Sequence, residues 1–342
     1  MSKRNLLIVV TSMGILATLI SVSLILAAVQ VDTSALREAV TVDGIRAHQA
    51  VFQDFANNYG GTRTLGTPGY VESAEYVASQ LLAAGYDVTI QEFTFDNKDT
   101  ANVIAETPGG REDRVVVVGA HLDSVPNGPG IQDNGSGSAA ILEIAIQMAE
   151  LGIEPRNKVR FVFWAANENG LIGSQYYVDN LSGRDIRNIA LYLNFDMIGS
   201  PNFVRFVYDG DGSDTPLAGP NGSANIERIF LAYFAEQGLV VKSTSLDWPS
   251  DHIPFMDVGI PVGGLFTGAE EIKTEEEAAI FGGTAGDQYD PCYHLACDTF
   301  DNISEEALDQ MSDAAAHAVL TFAETTSEVS GVARGNGLGL YK

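Results

Sequence analysis

Acidic and imidazole side chains follow three apolar stretches of the sequence, each near the point where the stretch ends. Residues 114–120 are mostly valines, which is typical of a buried parallel strand, and His121 and Asp133 follow this run. Glu168 and Asp196 follow the next two apolar stretches. Because ligands of open α/β sheets bind at the carboxyl ends of the strands, we expect these four side chains to meet in one site.

A second histidine, His294, lies in a late irregular loop and completes a set of possible metal ligands. Two imidazoles and three carboxylates suit two divalent ions, above all zinc. A carboxylate shared by both ions would hold them about 3.5–4 Å apart, and such a pair activates a water and polarises a substrate carbonyl. Each residue alone is more often an ordinary loop residue, since aspartates in Gly/Asn loops usually form turns. The metal interpretation therefore depends on all five residues together.

Alternating strand and helix patterns surround these residues. Strands are predicted over residues 87–95, 103–106, 114–120, 158–166, 189–196, 240–244 and 261–266. Helices are predicted over residues 31–59, 71–85, 137–151, 225–236 and 304–325, with another beginning near residue 173. This alternation predicts one α/β domain over residues 31–326, with a mixed, mostly parallel central sheet flanked by helices.

The composition is strongly acidic. The 342 residues carry 45 acidic and 19 basic side chains, for a formal net charge of −26, and 45% of them are hydrophobic. This is enough apolar material for a sizeable core. The acidity disfavours a nucleic-acid partner, because phosphate binding needs clustered lysines and arginines. The acidity favours solubility or, alternatively, attraction of a cationic substrate.

The N-terminus has the pattern of an export signal. Lys3 and Arg4 precede an apolar run over residues 6–29, which is long for a signal-peptide core and suited to a membrane span. We expect residues 1–30 to be a signal anchor with its basic end in the cytoplasm, or else a cleaved signal peptide. The domain would then be extracellular or at the cell surface, and touch the membrane through this span if uncleaved. We expect a monomer, with a flexible Gly-rich tail at residues 327–342.

The sequence contains two cysteines, Cys292 and Cys297. Their C-x4-C spacing fits half a zinc site, a chance pair or a disulfide. A thiolate zinc site is disfavoured because no second cysteine pair exists. A short-loop disulfide fits an exported protein.

Several motifs together resemble those of a known enzyme family. They are GAHLDSVPNGPGIQDNGSGSAA, ENGLIGSQYYV, NFDMIGS, GLFTGAE and YDPCYHLACDT. In this order they are similar to the co-catalytic di-zinc aminopeptidases of family M28, especially the secreted streptomycete type. The resemblance runs from about Thr62 to Thr325 and leaves the N-terminal span and the tail unexplained. It implies the zinc-exopeptidase fold, also described as phosphorylase/hydrolase-like, and removal of N-terminal residues from peptides with two zinc ions.

The resemblance also implies roles for individual residues. His121 and Asp196 would hold one zinc ion, Glu168 and His294 would hold the other, and Asp133 would bridge both.

Further roles follow from the same motifs. Asp123 would orient the His121 ring, and the Tyr293 phenol would stabilise the oxyanion that forms from the substrate carbonyl. The two cysteines would form a disulfide that braces the loop of Tyr293 and His294. Asp251 matches a Ser-Asp pair that lies near the amino end of the substrate.

One departure from the family pattern concerns the general base. The family has two consecutive glutamates before the G-L-I-G-S turn; the first is the general base and the second is a zinc ligand. Here Asn167 takes the base position and Glu168 the ligand position. An amide cannot accept the proton of water, and general-base catalysis contributes roughly 10²–10⁴-fold. Pro249 also replaces the family arginine whose backbone helps to bind the amine.

The sequence therefore predicts an exported di-zinc aminopeptidase that acts on peptide or protein N-termini through a water between the ions, with Asn167 in place of the base. Phe203, Phe206, Trp248 and Phe266, in or beside loops, favour apolar N-terminal residues. The alternative is a metal-binding pseudoenzyme that binds peptide N-termini or a partner without cleavage. A glutaminyl-cyclase-like or carboxypeptidase-like activity is a third hypothesis, and the full set of di-metal ligands argues against a single-zinc cyclase.

Overall fold

The computed structural model describes residues 31–327 and 329. The described residues from Thr33 onward form one compact unit, which carries the fold given below. The predicted signal anchor or signal peptide at residues 1–30 lies outside the described residues, as does nearly all of the predicted tail at residues 327–342. Within the described range, no helix combines the length and the apolar character that a membrane crossing requires.

Eight strands form one sheet in the described part of the chain. They are β1 (Asp87–Phe95), β2 (Lys98–Glu106), β3 (Arg111–His121), β4 (Asn157–Trp164), β5 (Ile189–Phe195), β6 (Phe206–Tyr208), β7 (Lys242–Thr244) and β8 (Val262–Phe266). Their order across the sheet is β1-β2-β4-β3-β5-β8-β6-β7. Strands β4, β3, β5 and β8 are parallel neighbours, and β6 and β7 are parallel to each other. The pairs β1–β2, β2–β4 and β6–β8 are antiparallel, which confirms the predicted mixed, mostly parallel sheet.

Ten α-helices accompany this sheet within residues 31–327. They are α1 (Ser34–Ala39), α2 (Val42–Asn58), α3 (Pro68–Ala83), α4 (Gly135–Glu150), α5 (Ile172–Asp179), α6 (Gly183–Asn188), α7 (Ser223–Glu236), α8 (Ile253–Asp257), α9 (Glu275–Phe281) and α10 (Glu305–Glu324). Helix α3 packs on β1 and β2, and α4 packs on β3 and α2. Helix α10 packs on α1, α7 and β4.

Strand β3 lies at the centre of the sheet. Its valines pair in parallel with β4 on one side and with β5 on the other, and Val115 to Val118 are all buried. Burial of both faces explains why this stretch is uniformly apolar and does not alternate. Each fully buried valine contributes about 1.5–3 kcal/mol. Because β3, β4, β5 and β8 are parallel, their carboxyl ends open at one edge of the sheet.

The predicted helix over residues 31–59 is two helices, α1 and α2. The chain is extended at Val40 and Thr41, with ψ angles of 106° and 152°. The Thr41 side chain accepts a hydrogen bond from the backbone N–H of Gly44 and so begins the second helix. The apolar period continues across this break, so the spacing alone did not indicate it.

Four short elements were not predicted: β6, α6, α8 and α9. They span three to seven residues, which is too short for a clear hydrophobic period. By contrast, the predicted start of the last helix is confirmed, because the Ser304 side chain caps α10 by accepting a hydrogen bond from the N–H of Ala307. Gly85 has a φ of 89° just after α3, which is typical of a helix-terminating glycine.

Candidate metal centre

Five predicted ligand side chains lie together at the carboxyl edge of the sheet. The Asp133 carboxylate sits between two imidazoles, with Oδ1 3.1 Å from His121 Nε2 and Oδ2 3.1 Å from His294 Nε2. Asp196 Oδ1 is 3.3 Å from His121 Nε2, and Glu168 Oε2 is 3.1 Å from His294 Nε2. The centre therefore has two halves, each with one histidine and one carboxylate, and the halves share Asp133.

Each ligand is placed by the end of a strand, the start of a helix or a tight turn. His121 is the last residue of β3, and Asp196 directly follows β5. Asp133 comes two residues before α4, and the peptide bond that follows it is cis. Glu168 lies in the 3-10 turn Asn167–Asn169 after β4. His294 has a φ of 59°, a left-handed conformation that is uncommon for a residue with a side chain.

The carboxylates strongly perturb the two histidines. Burial would lower the pKa of His121, but the charge of Asp196 and hydrogen bonds with neighbouring aspartates raise it well above its usual value. Burial would also lower the pKa of His294. The carboxylates of Asp133 and Glu168 outweigh this effect and raise the pKa to about 10. Burial and the nearby Asp133 charge raise the pKa of Glu168 to about 7. The carboxylates therefore favour the protonated form of both imidazoles.

The donor set and its unsatisfied atoms fit a metal. Glu168 Oε1 and Asp196 Oδ1 are buried and form no hydrogen bond, although Asp196 Oδ1 lies 3.3 Å from the His121 ring. Unpaired buried carboxylate oxygens are costly, and a cation would satisfy them. One ligand atom each from His121, Asp133 and Glu168 lies within 4.8 Å of the others. Imidazole and carboxylate donors together suit zinc.

A second acidic group has ligand atoms that lie equally close together, within 4.8 Å of one another. It consists of Asp209, Asp211 and Glu227. Backbone N–H groups already occupy it, however. The two Asp209 oxygens accept hydrogen bonds from four residues between Gly212 and Thr215, and Glu227 Oε2 accepts from the N–H groups of Gly210 and Asp211. These bonds explain the cluster as the scaffold of an acidic loop.

Asp123 contacts residues in both halves of the metal centre. His121 Nδ1 is 3.1 Å from the backbone carbonyl oxygen of Asp123 and 3.5 Å from its Oδ1. The same Oδ1 accepts a hydrogen bond from the backbone N–H of Asn167 at 3.0 Å, and Oδ2 accepts from the N–H of Glu168 at 3.2 Å. One buried residue therefore orients the His121 ring and also fixes the turn that carries the opposite ligand.

The side chain of Asn167 is anchored by Asp251. Asn167 Nδ2 donates to Asp251 Oδ2 at 2.9 Å, and Ser174 Oγ donates to Asp251 Oδ1 at 2.6 Å. Asp251 is only 1% exposed, and burial raises its pKa to about 7. Asp251 is therefore a buried carboxylate bonded to Asn167 and Ser174, and its proximity to the substrate stays a prediction.

An aromatic group borders His294. The rings of Tyr293 and His294 stack with centroids 3.8 Å apart, and Tyr293 packs with Met197 and Phe266. Burial, and next the charges of Asp133 and Glu168, raise the pKa of Tyr293, so its phenol stays protonated and can donate a hydrogen bond. Trp248 lies 5.7 Å from Phe266, centroid to centroid.

The disulfide predicted between Cys292 and Cys297 is present and encloses Tyr293 and His294. Of the four aromatic residues from which the sequence predicts an apolar preference, Phe206 and Trp248 are partly buried and pack on this group, whereas Phe203 and Phe266 are buried. Phe203 therefore belongs to the core.

Comparison with known proteins identifies the family. Residues 102–319 match the model of Peptidase family M28. The chain belongs to this family. It is 45% identical over 288 residues to leupeptin-inactivating enzyme 1 of Streptomyces exfoliatus, a match that covers 84% of this chain and 63% of that protein. It is 57% identical over 218 residues to an aminopeptidase of Pseudomonas aeruginosa (strain UCBPP-PA14), covering 64% of this chain and 40% of that protein.

The M28 chain thus spans between two fifths and two thirds of the length of these curated relatives. Solved structures agree on the fold. A zinc aminopeptidase from Bacillus subtilis superposes with a TM-score of 0.68 at 18% identity, over 85% of this chain and 98% of that one. An aminopeptidase from Aneurinibacillus sp. strain AM-1 has a TM-score of 0.66 at 18% identity, over 84% and 95% of the two chains.

Three buried residues that support the M28 centre were not identified from the sequence. Ser250 Oγ donates to Asp196 Oδ2 at 2.6 Å. Asp298 accepts hydrogen bonds from the backbone N–H groups of Gln132 and Asp133, at 2.7 and 3.0 Å. Arg63 binds the loop between His121 and Asp133. In the sequence, Ser250 precedes Asp251 and Asp298 follows Cys297. This adjacency to predicted site residues is the signal that could have identified them.

Proposed function

We propose that this chain is an exported di-zinc aminopeptidase that removes N-terminal residues from peptides. The proposal rests mainly on the position of the Asp133 carboxylate. One of its oxygens faces His121 and the other faces His294. Each of these histidines also faces a second carboxylate. His121 and Asp196 would hold one zinc ion, Glu168 and His294 the other, and Asp133 both. The names of the relatives and the basic, apolar N-terminal sequence support the activity and the export.

The chemistry divides between the ions and the protein. Two zinc ions, when bound, would activate a water and polarise the scissile carbonyl. Tyr293 supplies a protonated phenol, whose O–H can donate to the carbonyl oxygen as negative charge develops there. Asp123 holds the His121 ring in one orientation and keeps Glu168 in its turn, so the ligands need little rearrangement.

The aromatic group beside Tyr293 supports a preference for apolar N-terminal side chains. Trp248 and Phe206 are only partly buried and pack around Phe266 and Met197. Met197 directly follows the ligand Asp196, so this apolar group adjoins the metal centre. An apolar side chain at the substrate N-terminus would bury its surface there.

Asn167 limits the rate in this proposal. Its amide cannot take a proton from water, and its Nδ2 is already committed to Asp251. Asp251 itself is buried behind Asn167. We therefore expect turnover well below that of a relative with glutamate at this position.

The same contact favours a second candidate function, a metal-loaded binder of peptide N-termini. With Nδ2 donated to Asp251, the Asn167 carbonyl oxygen is left as an acceptor for a substrate ammonium group. In this case the centre would retain peptides without cleaving them.

One experiment separates these functions. We would load the full-length protein with zinc, count bound ions by mass spectrometry, and follow release of leucine from a Leu-Gly-Gly peptide, with Asp133→Asn as the control. We expect two ions per chain and slow, zinc-dependent release that the variant lacks. Two bound ions and peptide retention without any release would select the binder. A chain that binds no zinc would refute both.

A further inference from the structure

Arg63 is a fully buried arginine behind the loop that joins two metal ligands. The loop runs from Leu122 to Gly130, between His121 and Asp133, and we refer to it as the ligand loop. Arg63 Nη1 donates to the carbonyl oxygen of Leu122 at the beginning of the loop. At its end, Nε donates to Pro129 O at 2.8 Å and Nη2 donates to Gly130 O at 2.6 Å. One rigid guanidinium therefore spans both ends of the ligand loop.

The backbone around Arg63 holds the same loop. The N–H of Arg63 donates to Ser124 Oγ at 2.9 Å, and the N–H of Ser124 donates to the Arg63 carbonyl at 3.4 Å. Thr62 Oγ1 donates to Val125 O at 2.7 Å. Thr62 and Arg63 therefore anchor the ligand loop through hydrogen bonds. Both residues belong to a Gly-rich segment that has no role in the proposed chemistry.

The loop also touches the segment of the second histidine. A Cβ atom on Gly128 would lie 2.3 Å from the carbonyl oxygen of Leu295, the residue after His294. At Gly130, a Cβ would lie 2.5 Å from Asp133 O. The ligand loop is therefore packed closely against the backbone beside His294 and against Asp133, so its position affects the ligands of both halves of the centre.

Arg63 is also a fixed positive charge under an acidic centre. Among the described residues, no carboxylate accepts a hydrogen bond from its guanidinium, but Asp123, Asp298 and Asp133 act on it at longer range. Burial lowers the pKa of Arg63 to about 10, and the three aspartates oppose this, so it remains charged at neutral pH. The charge offsets the repulsion among the carboxylates before any metal binds.

We infer that Arg63 is the positioning residue of the metal centre: by holding both ends of the ligand loop, it sets the spacing of His121 and Asp133 in the metal-free protein. The inference rests on the proposed metal site, and it assigns to Arg63 no contact with substrate. Arg63 acts through the loop carbonyls, so its role differs from that of Asp123, which faces a ligand ring directly.

The test compares Arg63→Lys with a control, Val77→Ala, in the full-length protein. Lysine keeps the charge but cannot reach both ends of the loop. Val77 is buried in α3, so its truncation lowers stability by creating a cavity outside the ligand loop. Hydrogen–deuterium exchange of residues 122–133 is measured on zinc-free protein, and zinc affinity is measured by competition with a chelator.

We expect exchange in the loop of Arg63→Lys to be about tenfold faster than in the natural protein, and zinc affinity to fall about 10–100-fold. Val77→Ala should lower the melting temperature without either effect. If both variants lose thermal stability while loop exchange and zinc affinity stay unchanged, Arg63 is only a packing residue and the inference is overturned.

A second variant keeps the test decisive if Arg63→Lys does not fold. Thr62→Val removes the hydrogen bonds of Thr62 Oγ1 to Val125, Ser124 and the N–H of Thr64, and leaves the Arg63 guanidinium in place. Because it loosens the same anchor of the loop, it should change both readouts in the same direction but less. If hydrogen–deuterium exchange of the loop in Thr62→Val equals that of the natural protein, the inference is contradicted. A natural protein that binds no zinc would instead defeat the proposed function, and the exchange measurement on metal-free protein would still decide the role of Arg63.

Discussion

Replacement of Asn167 by glutamate should raise the rate of peptide hydrolysis. Glutamate restores a carboxylate next to the ligand Glu168, on a turn whose backbone Asp123 already fixes. General-base catalysis contributes roughly 10²–10⁴-fold, which corresponds to about 2.7–5.4 kcal/mol of activation free energy.

The proximity of Asp251 narrows the rate increase that we expect from this replacement. Asn167 Nδ2 is 2.9 Å from Asp251 Oδ2, and two carboxylates that close cannot both be ionised. Burial already raises the pKa of Asp251 to about 7, so Asp251 can keep the shared proton and donate a hydrogen bond to the ionised glutamate. The glutamate then remains a base, though a weaker one, and we expect a gain of about 10²–10³-fold that increases with pH.

The assay is hydrolysis of Leu-p-nitroanilide by the zinc-loaded proteins, with the zinc content of each sample determined. The matched control is Asn167→Gln, which has the length of glutamate without its charge and should stay within about threefold of the natural protein. Equal rates for the Glu and Gln variants, each with two ions bound, would refute the reasoning. A natural protein that is as fast as Asn167→Glu would mean that another group accepts the proton.

Three further predictions concern the metal and the cleft. Because carboxylates raise the pKa values of His121 and His294, zinc binding at pH 7 should release about two protons per chain, and affinity should fall as pH falls; calorimetry in buffers of different ionisation enthalpy measures this, and zero release would contradict it. Replacing Cys292 and Cys297 together by serine should free the His294 loop and weaken one zinc ion about tenfold, whereas unchanged affinity for both ions would argue against the brace. Trp248→Ala should lower kcat/KM for leucyl relative to alanyl substrates about tenfold, and an unchanged ratio would remove this residue from the specificity site.

The long elements were predictable because their physical causes are local. The valine run of β3 is apolar on both faces since strands cover both of its edges and helices pack on it, and this burial is visible as a run of letters. The cap of α10 at Ser304 is also local, since the donor is the N–H of Ala307. The break between α1 and α2 and the short strand β6 leave no such periodic trace.

By itself, the sequence determined the α/β class and the five candidate ligands with the amide at position 167, and the family resemblance implied the disulfide. These follow from residue types at strand ends and from motifs in a fixed order. Only the tertiary structure decided that Asn167 is tied to Asp251, 84 positions away, and that Arg63 holds a loop 59 positions away. Such contacts depend on how distant segments pack at one sheet edge, and side-chain spacing within a segment carries no information about which distant partner it meets.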